Sequence, residues 1–223
     1  MLTATQNLRN HLTTQKCDSI IINSLVNVIL HFGTKQDSNP LLAQFLTNPG
    51  DFNHTQIIPV FTKFGDQATA EKIFNACFSN SQLKPNVAPE VLELLGKLQY
   101  EPIKPILVEY TFNSPDYYIS KHATLGLLNF DCSDIRYRIE QEIGKVFSQP
   151  IFSEFIPALV SKLPNRKQLL KDLYNFGSTA CSTDCNAGII LGFSLCGEEG
   201  RTYFVKAIFD PWWEVATTGT GSI

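Results

Sequence analysis

An all-α fold built from a repeating helical unit is what this sequence predicts, and three observations predict it. Apolar residues recur at helical spacing along most of the chain, similar segments recur at an offset of 48 residues, and strand signals are sparse. Val87, Val91, Leu94, Leu95 and Leu98 make an i, i+4, i+7, i+8, i+11 stripe, the face a helix buries. Ile135, Ile139, Ile143 and Val146 make a second.

The offset is clearest between Leu95-Gly96-Lys97-Leu98-Gln99-Tyr100-Glu101-Pro102-Ile103 and Ile143-Gly144-Lys145-Val146-Phe147-Ser148-Gln149-Pro150-Ile151. Gly, Lys, Pro and Ile coincide, and Val87 pairs with Ile135, Val91 with Ile139, Leu125 with Leu173 and Leu128 with Phe176. A third copy of the Leu-Gly step stands at Leu191-Gly192, where Glu198 replaces the proline. A terminal repeat that departs from the pattern is what a cap requires. Gly96 and Gly144 are expected at equivalent places where helices approach closely.

Each unit reads as about three helices. The expected units run near 55–64, 67–80 and 87–98, then 101–112, 115–129 and 133–147, then 150–162, 165–176 and 182–196. Ser114 is the expected N-cap of the helix over 115–129, with Pro115 at its first position, where a missing N–H costs nothing. Ser133 and Asp134 suit the start of the next, and Ser182, Thr183 and Asp184 the start of the last. Earlier helices are expected over Thr3–Gln15 and Ser19–Phe32, with a short one beginning at Asn39-Pro40. Thr202–Phe209 has β-branched and aromatic character, but no segment nearby would pair with it, so it is read as a final helix. The domain organisation expected is N-terminal capping helices over 1–52, a repeat array over 53–210 and a small polar tail over 211–223.

Composition excludes several classes. Of 223 residues, 43% are hydrophobic and 17% charged, too apolar for a disordered chain. Lys plus Arg is 18 against 21 Asp plus Glu, a net charge of −3 that argues against nucleic acid. No apolar leader opens the chain, and the Ile20–Phe32 stretch, interrupted by Asn23, Ser24, Asn27 and His31, is short of a membrane span. A cytoplasmic protein without membrane partners is expected, with the six cysteines as free thiols.

Pro105-Ile106-Leu107-Val108-Glu109, then Asp116, then Ile119-Ser120-Lys121-His122-Ala123-Thr124-Leu125-Gly126-Leu127-Leu128, resembles a HEAT repeat. Ile58-Pro59-Val60-Phe61 and Ile156-Pro157-Ala158-Leu159 are weaker copies of its first half, and the three-helix period is similar to the armadillo arrangement. The resemblance covers about residues 55–197. Lys121 stands one residue late for the family's basic position, and His122 sits where a small residue is common. The resemblance implies a right-handed α-solenoid with a concave groove and brings no catalytic residue with it. Its implied function is a scaffold that binds a protein or peptide. Small HEAT-repeat proteins also include phycobilin lyases and isomerases, so a bilin is an alternative ligand. A third reading is an all-α enzyme or binding protein with an apolar pocket, which 16 phenylalanines permit.

No motif for nucleophilic catalysis, phosphate-loop binding or dinucleotide binding occurs, and no cofactor is expected. The four histidines lack metal-ligand spacing, and Cys181 and Cys185 lack a second pair, so no metal is expected. The binding candidates are Tyr117 and Tyr118 at a helix start, His122 on the same helix, Arg136, Arg138, and Trp212 and Trp213. Exposed Tyr and Trp anchor interfaces, although the Trp pair suits a capping role equally. Arg136, Arg138, Arg166 and Lys167 together could form a shallow anion patch if successive units place equivalent surfaces side by side.

Overall fold

The computed structural model describes residues 19–50, 54–148, 154–179 and 185–210. The expected helix over 3–15, Ser182 to Asp184, Trp212, Trp213 and the tail lie outside these residues. Among the described residues the fold is all-α, with eleven α-helices and one two-residue strand pair. The helices are α1 Ser19–Phe32, α2 Lys35–Thr47, α3 His54–Phe64, α4 Gln67–Cys77, α5 Glu90–Lys97, α6 Lys104–Asn113, α7 Tyr117–Leu127, α8 Arg136–Val146, α9 Lys167–Gly177, α10 Asn186–Leu195 and α11 Glu198–Phe209. Short 3-10 segments cover Glu101–Ile103, Ser133–Ile135 and Ile156–Lys162. None of the described helices is long and apolar enough to cross a membrane.

Local chemistry sets the boundaries. The Asp66 carboxylate accepts from Thr69 N at 2.9 Å and opens α4; the Asp116 carboxylate accepts from Ile119 N at 3.1 Å and opens α7. These aspartates also place negative charge at the positive end of each helix. Asp116 therefore displaces Ser114, the expected cap, whose Oγ instead accepts from Asp116 N at 3.2 Å. Helix α2 begins at Lys35 rather than Asn39 because Asp37, fully buried, accepts from Thr34 N and Thr34 Oγ1, both at 2.7 Å. Pro40 then lies inside the helix. Helix α4 stops at Cys77, short of the expected 80, because a tight hairpin follows. Phe78–Ser79 (β1) pairs antiparallel with Gln82–Leu83 (β2) through Asn80 and Ser81, whose φ values of 50° and 61° suit a two-residue hairpin turn. The helices α4, α7 and α9 are each 11 residues long and begin at residues 67, 117 and 167.

The chain divides into two compact units, Met1–Tyr110 and Thr111–Ile223. In the first, α3 packs against α1, α2 and α5, and α4 against α2 and α5. Its core joins Ile29, Leu41, Phe45, Ile57, Val60, Phe61, Ile73, Val91, Leu92, Leu94 and Leu95, all buried. Phe45 and Phe61 meet edge to face at 5.7 Å. At the start of α2, Lys35 pairs with Asp66, tying the first turns of α2 and α4 together.

In the second unit the segment Ile156–Lys162 is central, packed by α8, α9 and α10. Five of its residues, Ile156 to Val160, are buried. Helix α10 lies close on it because Gly188 and Gly192 present no side chain. A Cβ at Gly188 would collide with the Glu154 carbonyl oxygen, and one at Gly192 would lie 3.0 Å from Val160 Cγ1. Gly200 of α11 faces the Phe193 carbonyl of α10 in the same way. The expected equivalence of Gly96 and Gly144 does not hold. Gly96 is buried, whereas Gly144 is exposed, with nothing within 4 Å of a Cβ there. Their neighbours keep the offset, since Val91 and Ile139, and Leu95 and Ile143, are all buried.

These contacts predict opposite outcomes for two glycine substitutions. Gly188→Ala overfills a backbone contact and lowers stability by about 1–3 kcal/mol or more. Gly144→Ala removes a flexible residue from a helix without touching anything and raises stability by about 0.5–1 kcal/mol. Thermal melts that reverse this order contradict the packing.

Asp66 predicts a pH dependence. Hydrogen bonds from Lys35 and Thr69 hold its carboxyl well below the ordinary value of 3.8. A depressed folded value means that its contribution is present in full above the ordinary carboxylate range and fades as the pH falls towards the folded value. The gap in melting temperature between wild type and Asp66→Ala should therefore be widest near neutral pH and narrow below pH of about 4.

Candidate functional site

A shallow, open hollow lies in the second unit, between the turn 131–136 and the segment 161–166. It has a volume of about 310 Å³ and is lined by Asp131, Ser133, Arg136, Ser161, Lys162, Leu163, Pro164 and Arg166. The first wall is a tight turn. Ser133 donates from its N at 3.1 Å and its Oγ at 2.7 Å to the Asp131 carboxylate. The buried Cys132 side chain anchors that turn, which leads through the 3-10 segment Ser133–Ile135 into α8. Arg136 is the first residue of α8 and is exposed.

The second wall ends the segment Ile156–Lys162. Leu163 precedes Pro164 and takes an extended backbone (φ −97°, ψ 136°), as the proline ring demands of its predecessor. Leu163 is itself buried, which holds Lys162 and Pro164 on either side of it at the surface. Arg166 follows and is fixed by two bonds. Its Nε donates to Glu199 Oε2 at 2.6 Å and its Nη1 to the Ser161 carbonyl at 2.8 Å.

The hollow brings together Arg136 and Arg166, two members of the expected anion patch, and adds Lys162. The other two members lie elsewhere. Lys167 is exposed outside the lining. Arg138 donates from Nη2 to Asn113 Oδ1 at 2.9 Å, and its guanidinium lies 4.6 Å from the Phe112 ring centroid. It thus fastens α8 to residues 112–113. Lys162 was not singled out because 150–162 is expected as a regular helix, whereas Ile156–Lys162 is a 3-10 segment that ends at the hollow.

Of the other candidates, Tyr117 and Tyr118 are both exposed and meet edge to face at 5.2 Å. Tyr117 borders a second recess with Ser120, Lys121, Thr124, Glu154, Phe155 and Ile156, whose volume of about 10 Å³ suits a single water. His122 is half-buried on α7 and lines neither recess. Trp212 and Trp213 lie outside the described residues.

An exposed face not singled out from sequence runs along α8. Tyr137, Gln141 and Gly144 follow one i, i+4, i+7 stripe, and all are exposed. Tyr137 is 72% exposed, and Gln141 Nε2 donates to its hydroxyl at 3.0 Å, laying the ring along the helix. Repetition did not reveal this face, because the 48-residue offset tracks only the buried stripe.

The thiols of the described residues lie inside the fold. Cys77, Cys132, Cys185 and Cys196 are free and buried. Burial pushes the Cys77 thiol up to about 12 and the Cys196 thiol up to about 11. A thiol so raised is not the thiolate that attacks an electrophile. Among the described residues no group of three His, Cys, Asp or Glu is placed to hold a metal. Comparison with protein-family models, curated proteins and solved structures finds no match to this chain.

Proposed function

We propose that the protein is a binding module that engages a protein or peptide partner, and that the outward face of α8 makes the contact. The observation that carries this is Gly144. A glycine inside a helix costs stability, and a neighbour that needs the space usually accounts for it. Among the described residues nothing fills the space beside Gly144. It lies on one stripe with Tyr137, a residue type enriched at interface centres and here largely exposed. A partner backbone can approach at the glycine while the tyrosine ring supplies contact area.

The same proposal includes a right-handed α-solenoid of the HEAT or armadillo kind. The equal lengths and spacing of α4, α7 and α9 support it, as do the matching Asp66 and Asp116 caps. The two recesses are polar at their rims, and one admits only a water.

A photo-cross-linking residue placed at Tyr137 should trap one dominant partner in cells of the source organism, while the same residue at the exposed Glu71 should not. Gly144→Arg, whose Cβ meets no neighbour among the described residues, should reduce that capture about tenfold or more. Capture that is equal at both positions, or unmoved by Gly144→Arg, contradicts the proposal.

A further inference from the structure

We propose that the hollow bounded by Arg136, Lys162 and Arg166 binds the phosphate group of a phosphomonoester. This goes beyond partner binding on α8 and does not depend on it.

Three cationic side chains from two separate segments line one concavity, in a chain whose net charge is −3. Neither Arg136 nor Lys162 has an ion-pair partner among the described residues. Arg166 is oriented in advance. With Nε on Glu199 and Nη1 on the Ser161 carbonyl, Nη2 is the guanidinium nitrogen left for a ligand. A side chain already immobilised loses less entropy on binding. The one carboxylate in the lining, Asp131, accepts two hydrogen bonds from Ser133, which offset its repulsion of an anion. The three cations, set against Asp131 and against Glu199 paired with Arg166, leave one net positive charge at the space. The hollow also meets the N-terminal end of α8, whose dipole favours negative charge.

Size and rim indicate an ester. About 310 Å³ is the low end of the range for small-molecule sites and exceeds what a bare phosphate needs. The exposed Pro164 ring offers an apolar surface beside the cations for the group that carries the phosphate. Arginine donates in a planar fork that suits phosphate oxygens, and lysine adds a point charge.

Phosphorus NMR titrations of the full chain test the assignment. The probes are inorganic phosphate, phenyl phosphate and acetyl-glycyl-phosphoseryl-glycinamide, with acetate as competitor. Phosphate-ester binding that falls with added salt and resists acetate is expected. Arg136→Ala and Lys162→Ala should each weaken it about tenfold or more, the scale of one charged hydrogen bond. Among the described residues neither side chain makes an ion pair, so the melting temperature should hold. Lys167→Ala, outside the lining, should leave binding unchanged. Tighter binding of phenyl phosphate assigns the site to a small phosphorylated compound, and tighter binding of the phosphoseryl peptide assigns it to a phosphorylated chain. The inference is overturned if no ester binds, or if Lys167→Ala weakens binding as much as Arg136→Ala does.

Discussion

The second unit depends on one close approach, that of α10 to the backbone of Ile156–Lys162. A 3-10 segment of seven residues has poorer hydrogen-bond geometry than an α-helix and does not persist unsupported. It is held because Gly188 and Gly192 bring α10 against it, while α8 and α9 pack on it from other sides. That contact buries Ile156, Ala158, Leu159 and Val160 together with Ile189 and Phe193. It also determines where the segment ends, and therefore where Lys162 and Arg166 emerge. The basic hollow is thus a consequence of packing two glycines deep in the unit.

A second constraint is helix length. The described helices have 8 to 14 residues, and isolated helices below about 12–15 residues are marginal in water. Each is stable only with its neighbours and with good ends. Asp66, Asp116 and the Thr34–Asp37 pair supply those ends, and Asp66 further links α4 to α2 through Lys35. Helix α8 follows the same rule on its inner side, where Ile139, Ile143 and Val146 are buried, and is unusual only on its outer side.

The apolar stripes made the all-α class and most helix positions legible, because burial at 3.6-residue spacing is recorded directly in side-chain type. Of the pairs at an offset of 48 residues, Val91 with Ile139 and Leu95 with Ile143 are buried alike, whereas Val87 with Ile135, Leu125 with Leu173 and Gly96 with Gly144 differ. A glycine carries no mark of whether its missing Cβ faces a neighbour or open space. Gly192, the third Leu-Gly copy, is a close contact. Ser114-Pro115 looked like a helix start because proline suits the first turn, yet a carboxylate two residues on from Ser114 made the stronger cap. Arg136 and Arg166 were foreseen as one patch. Lys162 was not, because its position depends on Leu163 being buried before Pro164, and no periodic signal records that.

The central claim is that stability in this chain comes from contacts between neighbouring elements, so that a fault in one contact stays local. Hydrogen exchange on Gly192→Val, which wedges a side chain against Val160 and Pro157, tests it most directly. The account predicts lost amide protection in 156–162, 186–195 and 198–209, with 54–64 and 90–97 still protected as in the wild type. Loss of protection spread evenly over all these segments would contradict it.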